Sequence, residues 1–407
     1  MKLRDWLTLT PVFLKCLGKL PIAHLGYMAR QLRYENPQRH NGRLHINAFF
    51  PPCPSPAFDR FVNAAVRRWR VPYSVYFAVT EACAYHCPHC SYGRHAPGRL
   101  DTRQALDLVE QASRLGVVTM GFTGGEPLLR DDLPALVAGA GNMATVVFTT
   151  GYRLTEPFAR ALREAGLDCI TIGLESDRPE EHDAVRGVAG SFATAMDAIR
   201  IAREAGLFTA VSTMATRDKL RCGTLDALAD LATRRGVREF RILEPIPTGG
   251  HAGCGGEVLT PDESAQIARF HQTWNRRGRG PAIAAFSHLE SDAMFGCGAG
   301  FHHLYIDAAG NVCPCDLTPL RFGNAVEEPL GDIWRRMGEL FDAPRCGCLM
   351  KELCATSDAV QEAAVFPLCR QESESLCRRH ISKTPLPKVF ANLFRGRRPT
   401  NPPANPP

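Results

Sequence analysis

The stretch Tyr73-Ser-Val-Tyr-Phe-Ala-Val-Thr80-Glu-Ala-Cys83-Ala-Tyr-His-Cys87-Pro-His-Cys90 sets a strand and a metal site side by side. Its first eight residues are mostly β-branched or aromatic, the composition of a buried strand. Three thiols follow, separated by three and then two residues, so they can converge on one centre from a short loop. Thiolate is a soft ligand that suits zinc or an iron–sulfur cluster. A closed zinc site needs a fourth protein ligand, for which His86, His89 and His95 are at hand. A cluster held by three cysteines leaves one iron open to a cofactor or substrate.

Outward from this stretch, apolar runs alternate with helical patterns. Strands are predicted at 73–80, 117–123, 145–150, 169–174, 208–214 and 239–243, and helices near 102–115, 132–140, 156–165, 192–205 and 224–235. Gly116, Gly166, Gly206 and Gly236 close four of these helices just before the next strand, the usual junction of an α/β unit. Six units in series predict a parallel sheet with right-handed crossovers, rolled into a partial (β/α)6 TIM-like barrel. The alternative is an open doubly wound sheet. In either fold, chemistry belongs at the carboxyl ends of the strands.

The predicted organisation is a basic amphipathic extension over 1–71, the barrel over 72–260 and a linker helix within 261–290. A small cysteine-rich domain over 291–380 and a disordered, basic, Pro-rich tail over 381–407 complete it. Thr260 ahead of Pro261 marks the start of the linker helix. The 407 residues carry a net charge of +6, but residues 1–43 hold +6 and residues 381–407 hold +5, leaving the middle near −5. That balance argues against a nucleic-acid-binding body and places any attraction to anionic partners at the two ends. Of the 16 cysteines, three lie in the first loop and eight between Cys297 and Cys377. With Lys15 and Lys19 interrupting the apolar N-terminal stretch, no clean secretory signal is read. The cysteines are therefore taken as metal ligands in a reducing cytoplasm rather than as a disulfide scaffold.

Gly124-Gly125-Glu126-Pro127 follows the second strand, 34 residues after Cys90. Paired glycines let a backbone pass close to a ligand, and a glutamate can accept from an ammonium. The C-x3-C-x2-C loop after the first strand and this loop after the second together resemble the radical S-adenosylmethionine superfamily. The resemblance implies a [4Fe–4S] cluster on Cys83, Cys87 and Cys90. Its open iron would be chelated by S-adenosylmethionine (SAM), which is cleaved on reduction to a 5′-deoxyadenosyl radical. It also implies cofactor contacts from Gly124, Gly125, Glu126, Pro127, Thr150, Glu175 and Ser212. Where relatives carry an aromatic residue before the last cysteine, this chain has His89, whose ring is available to adenine. The segment Glu181–Arg186 resembles that of peptide-modifying members.

Cys297, then Gly310, then Cys315 at a five-residue step reproduce the opening of the SPASM pattern. Cys346-x-Cys348-x5-Cys354, Cys369 and Cys377 continue it, with one residue missing from the first gap and Asp358 where a cysteine usually stands. By resemblance, one auxiliary cluster would use Cys297, Cys315 and Cys313, completed by Asp358 or Cys369. A second would use Cys346, Cys348, Cys354 and Cys377. A twitch-like arrangement with one auxiliary [4Fe–4S] cluster, or structural zinc, are the alternatives. Cys315-Asp316 is similar to the run that carries the proposed base of anaerobic sulfatase maturases, on a hairpin expected to cap the barrel mouth. Glu244, His251, Cys254 and His302 are further candidates.

The resemblance implies a radical enzyme in which auxiliary clusters accept an electron during a net oxidation or bond formation on a peptide or protein. The same chemistry on a lipid or other small molecule is the second reading, and a non-catalytic iron–sulfur or zinc protein is the third. A flavodoxin or ferredoxin would supply electrons. The mixed apolar and basic segment Trp6–Arg33 is suited either to packing on the barrel or to peripheral contact with the inner membrane face.

Overall fold

The computed structural model describes residues 2–94, 98–251, 258–357 and 366–402. Asp358 and Cys254 lie outside the described residues. Helices α1 (Leu3–Cys16) and α2 (Ile22–Gln31), a hairpin of β1 (Gln38–His40) with β2 (Arg43–His45), and α3 (Pro56–Arg67) precede the main sheet. Ser55 caps α3, its hydroxyl accepting from the Phe58 amide, with Pro56 at the first helical position.

The predicted strands form as β3 (Ser74–Thr80), β4 (Thr119–Gly124), β5 (Ala144–Thr149), β6 (Cys169–Gly173), β7 (Thr209–Met214) and β8 (Glu239–Leu243). They pair in parallel, in sequence order, and helices between them cover one face. Gly116 and Gly166, at φ +87° and +92°, end their helices in the left-handed conformation that only glycine adopts freely. The core between sheet and helices is dry and aliphatic: Val75, Phe77, Met120, Phe122, Ile170 and Ile172 meet Leu108, Leu133 and Leu162, all fully buried.

Two additions extend the sheet beyond the six expected strands. β9 (Ala282–Ala285) pairs in parallel with β8, inside the segment expected to be only a linker. Its run Ala-Ile-Ala-Ala is too short and too small to signal a strand by composition. β10 (His303–Ile306) pairs in parallel with β3, and β11 (Asn311–Cys313) and β12 (Gly323–Asn324) follow antiparallel. The order is thus β12-β11-β10-β3-β4-β5-β6-β7-β8-β9. The cysteine-rich hairpin does not cap the mouth; it continues the barrel sheet at its edge.

A second core lies at the strand-start end. Leu9, Cys16, Leu32, Leu44, Phe58 and Phe295 pack there with Val389, Phe390, Leu393 and Phe394. The last four belong to a helix over Lys388–Phe394, so this part of the supposedly disordered tail is ordered. Prolines and arginines around a seven-residue apolar helix masked it, because its packing partners come from the other end of the chain. Arg70 joins this region to the cysteine-rich segment. Its buried guanidinium donates to the carbonyls of Phe341, Trp334 and Gly300 at 3.1, 2.8 and 2.5 Å and lies 3.7 Å over the Trp334 ring. No helix among the described residues is long and apolar enough to cross a membrane.

Candidate active site

The loop after β3 carries the three thiols. It is tied down from two sides: the His86 amide donates to the Arg186 carbonyl at 3.3 Å, and the Gly250 amide donates to the Cys90 carbonyl at 3.0 Å. Gly249 and Gly250 must be glycine for this approach, since a Cβ on either would strike the Cys90 or Pro88 carbonyl. Burial raises the pKa values of Cys83 and Cys90, and the neighbouring thiols push the same way. Three mutually repelling thiolates at a loop end are a donor set that a cationic iron–sulfur core would neutralise, so the residues fit such a cluster.

The Gly-Gly-Glu-Pro loop lies against them. A Cβ on Gly125 would collide with the Ala82 carbonyl, so the two loops touch through bare backbone. Glu126 is fully buried, and both its carboxylate oxygens are committed. One accepts from the Leu128 amide (3.1 Å) and the Thr149 hydroxyl (2.6 Å), the other from the Thr150 amide (2.8 Å) and hydroxyl (2.5 Å). The expectation that this carboxylate receives an ammonium is corrected. It ties the β4 loop to the end of β5, leaving the Gly124–Gly125 backbone as the surface for a ligand. Thr150 serves the same tie.

Beyond β6 lies a buried ionic group. Glu175 accepts from Lys219 Nζ at 2.6 Å, Arg186 Nη2 at 3.0 Å and the Thr213 hydroxyl at 3.1 Å, with His89 Nε2 at 3.8 Å. Burial alone would raise its pKa, but the charges of Lys219 and Arg186 outweigh it and hold the carboxylate ionised. Arg186 also points Nη1 at Cys87 Sγ, 3.7 Å away. Gly173 makes room for this guanidinium, which fills the space a Cβ would occupy. Burial lowers the His89 pKa to about 4, so its ring is neutral; it stacks at 6.2 Å on His251. Ser212 is half-buried on β7. Lys219 and Arg186 were not among the predicted site residues. Arg186 entered only within the segment that resembles peptide-modifying members, and nothing local marks Lys219, because their role depends on meeting Glu175 across strand ends.

In the second cysteine region, Cys297, Cys315 and Cys348 influence one another electrostatically, and Cys348 also influences Cys354. These four draw together across the boundary between the two predicted ligand sets. Cys313 points elsewhere, into a small apolar cluster with Ala78, Tyr305 and Ala308. Cys346 neighbours Asp292, Cys377 is buried beside Glu374 and Arg345, and Cys369 is exposed at the start of the helix Arg370–His380.

Asp316 Oδ1 is 3.3 Å from His303 Nε2 and 3.4 Å from Cys315 Sγ, while His303 Nδ1 meets the Ser74 hydroxyl at 2.8 Å. Burial would raise the Asp316 pKa, but hydrogen bonding and the charge of His303 prevail and lower it. Because His303 pairs with Ser74, the first residue of β3, the His303–Asp316 pair sits toward the start of that strand, with Glu290 beside it. Glu290, which the sequence did not single out, is exposed to solvent and lies near Asp316 and Glu244. Desolvation by the surrounding chain, with the charges of Asp316 and Glu244, raises its pKa to about 8. Glu244 is paired with Lys351 at 2.7 Å. His302 lies apart from these acids: it stacks on Phe390 at 5.4 Å in the second core, where burial lowers its pKa to about 3.

Two family profiles match this architecture: the radical SAM superfamily over residues 77–218 and the SPASM iron–sulfur cluster-binding domain over residues 297–370. The chain is 35% identical over 273 residues to the mycofactocin maturase MftC of Mycobacterium ulcerans, covering 64% of this chain and 72% of that protein. It is 30% identical over 302 residues to the PqqA peptide cyclase of Streptomyces rochei (70% and 81%). It is 26% identical over 344 residues to the AdoMet-dependent heme synthase of Oleidesulfovibrio alaskensis (76% and 85%). Its fold is similar to that of Streptococcus suis SuiB bound to S-adenosylmethionine, with TM-score 0.58 at 15% identity over 79% of this chain and 80% of that one. The chain therefore belongs to the radical SAM superfamily. Within it, this is a SPASM-domain enzyme that uses S-adenosylmethionine, a [4Fe–4S] cluster and auxiliary iron–sulfur clusters.

Proposed function

We propose that this enzyme oxidatively modifies a peptide or protein side chain. The observation that carries the reading is one sheet bearing two thiol groups, one beyond its carboxyl end and one beside its edge. Similarity to a maturase and a peptide cyclase supports a peptide as substrate. SAM on a three-cysteine [4Fe–4S] cluster supplies, on reduction, a 5′-deoxyadenosyl radical that removes a substrate hydrogen atom. Cys83, Cys87 and Cys90 hold that cluster. The bare backbone of Gly124 and Gly125 would receive the methionyl end, Glu126 and Thr150 hold the loop in place, and Pro127 stiffens its exit. Arg186 and Lys219, oriented by Glu175, give the cofactor's carboxylate a cationic surface. His89 offers a neutral ring to adenine, and Ser212 a hydroxyl to the ribose.

Cys297, Cys315, Cys348 and Cys354 would hold an auxiliary cluster, which would supply an acceptor for the electron that leaves the substrate. Asp316, ionised beside His303, takes the proton. Cys346, Cys369, Cys377 and Asp358 are left for a second cluster, and a flavodoxin or ferredoxin is the electron donor.

The test is anaerobic turnover with dithionite and SAM, followed by mass spectrometry of short peptides and of a tetrapyrrole supplied in parallel. A two-hydrogen mass loss or a new cross-link in a peptide supports the reading. Oxidation of the tetrapyrrole with peptides inert favours the second reading, to which the likeness to heme synthase points. Replacing Cys83, Cys87 and Cys90 together by Ala should remove about four irons and abolish 5′-deoxyadenosine formation while auxiliary iron remains.

A further inference from the structure

Helix α1 has two apolar faces. Leu9 and Cys16 are buried, and with Val12 and Phe13 they turn inward onto the second core, where they line an apolar cavity of about 100 Å³. On the nearly opposite face, Leu3, Leu7 and Leu14 recur at i, i+4 and i+11, one stripe of an α-helix. Leu17, just past the end of α1, and Ile22, the first residue of α2, are exposed as well. These residues are 53–79% exposed, and they are five of the seven large hydrophobics exposed among the described residues. The inward face already has its partners, so the stripe is not a loose part of the core.

The charge around the stripe is one-sided. Lys2, Arg4, Lys15 and Lys19 are all exposed around it. Of the nearest acids, buried Asp5 pairs with Arg39, and exposed Asp59 meets Lys15 at 3.4 Å and offsets part of that one charge, leaving Lys2, Arg4 and Lys19 in excess. A leucine stripe flanked by exposed cations is complementary to an anionic lipid surface, with side chains entering the acyl boundary and cations meeting headgroups. A polar protein surface would leave the leucines unmatched.

We propose that the α1–α2 hairpin docks the enzyme on anionic bilayers through Leu3, Leu7, Leu14, Leu17 and Ile22. This places the second core against the membrane and leaves the carboxyl ends of the strands facing away from it. The residues concerned lie outside the site described above, so the proposal stands whichever substrate the enzyme uses.

The test is flotation of the anaerobically reconstituted full chain with vesicles of phosphatidylcholine alone or with about one-third phosphatidylglycerol. Wild type should float with the anionic vesicles and stay down with the neutral ones. Leu7→Glu with Leu14→Glu should reduce flotation at least about tenfold. Lys15→Gln and Lys19→Gln should each weaken it about fivefold at low salt and less at high salt. All variants should keep wild-type melting and 5′-deoxyadenosine formation, because the altered side chains face solvent. Three results would overturn the proposal: no flotation of wild type with anionic vesicles, equal flotation of the leucine variant, or a wild-type dimer in light scattering that the leucine variant converts to monomer. The last would make the stripe an interface between copies of this chain.

Discussion

Single side chains here do work that their sequence motifs do not specify. Glu126 sits in a motif suggesting a direct cofactor contact, yet four hydrogen bonds use up its acceptor capacity. Glu126→Ala leaves the buried amides of Leu128 and Thr150 without acceptors, at about 1–3 kcal/mol each. Its melting temperature should therefore fall even in the protein without clusters, and SAM binding should weaken with it. Asp316 is the converse case, held ionised beside His303 with the adjacent Cys315 thiol also donating to it. Asp316→Asn should keep iron content and 5′-deoxyadenosine formation while product falls by about 10²–10⁴-fold, the usual worth of a general base. Lost iron would make Asp316 structural or a ligand. Normal product would move the base to Glu290 or Glu244.

At the level of elements, the ends of the chain are part of one core. Phe390, on the helix Lys388–Phe394, packs against Phe295, Phe301 and His302. Phe390→Ala should destabilise the fold by about 3–5 kcal/mol in a denaturant titration, as expected for a large buried ring. A fully disordered tail predicts no change. Arg70 couples the same region to the helix Leu330–Met337 through three buried carbonyls. Arg70→Met keeps the aliphatic bulk and strands those carbonyls, so a loss of about 3 kcal/mol or more should appear without change in SAM binding.

For the whole molecule, buried histidines make stability sensitive to acid. Burial lowers the pKa values of His24, His45 and His288 to about 4, about 3 and about 3. Unfolding returns each imidazole to a value near 6.5, so below that pH the unfolded chain binds more protons than the folded one. Stability should then fall as pH drops from 6.5 toward 4, by up to about 1.4 kcal/mol per pH unit for each histidine. Melting of the cluster-free protein between pH 7 and 5 checks this. A flat profile would mean that these rings charge without leaving the fold.

What the amino-acid order determined by itself was local in character. Six strands with their helices, and the Cys83–Cys90 loop with Gly124–Pro127 at successive strand ends, follow from periodicity, helix-ending glycines and spacing. Each of these depends on neighbours a few residues apart. Tertiary structure decided whatever rests on groups remote in sequence. β9 is four small residues that become a strand only because β8 offers an edge. The helix Lys388–Phe394 has a core to enter only because α1–α3 build one from the opposite terminus. Glu175 meets Lys219 and Arg186, and Cys297 meets Cys348, only when the sheet aligns their elements. A ligand set or a buried ion pair is defined by distances in space, and a spacing along the chain fixes those distances only within one short loop.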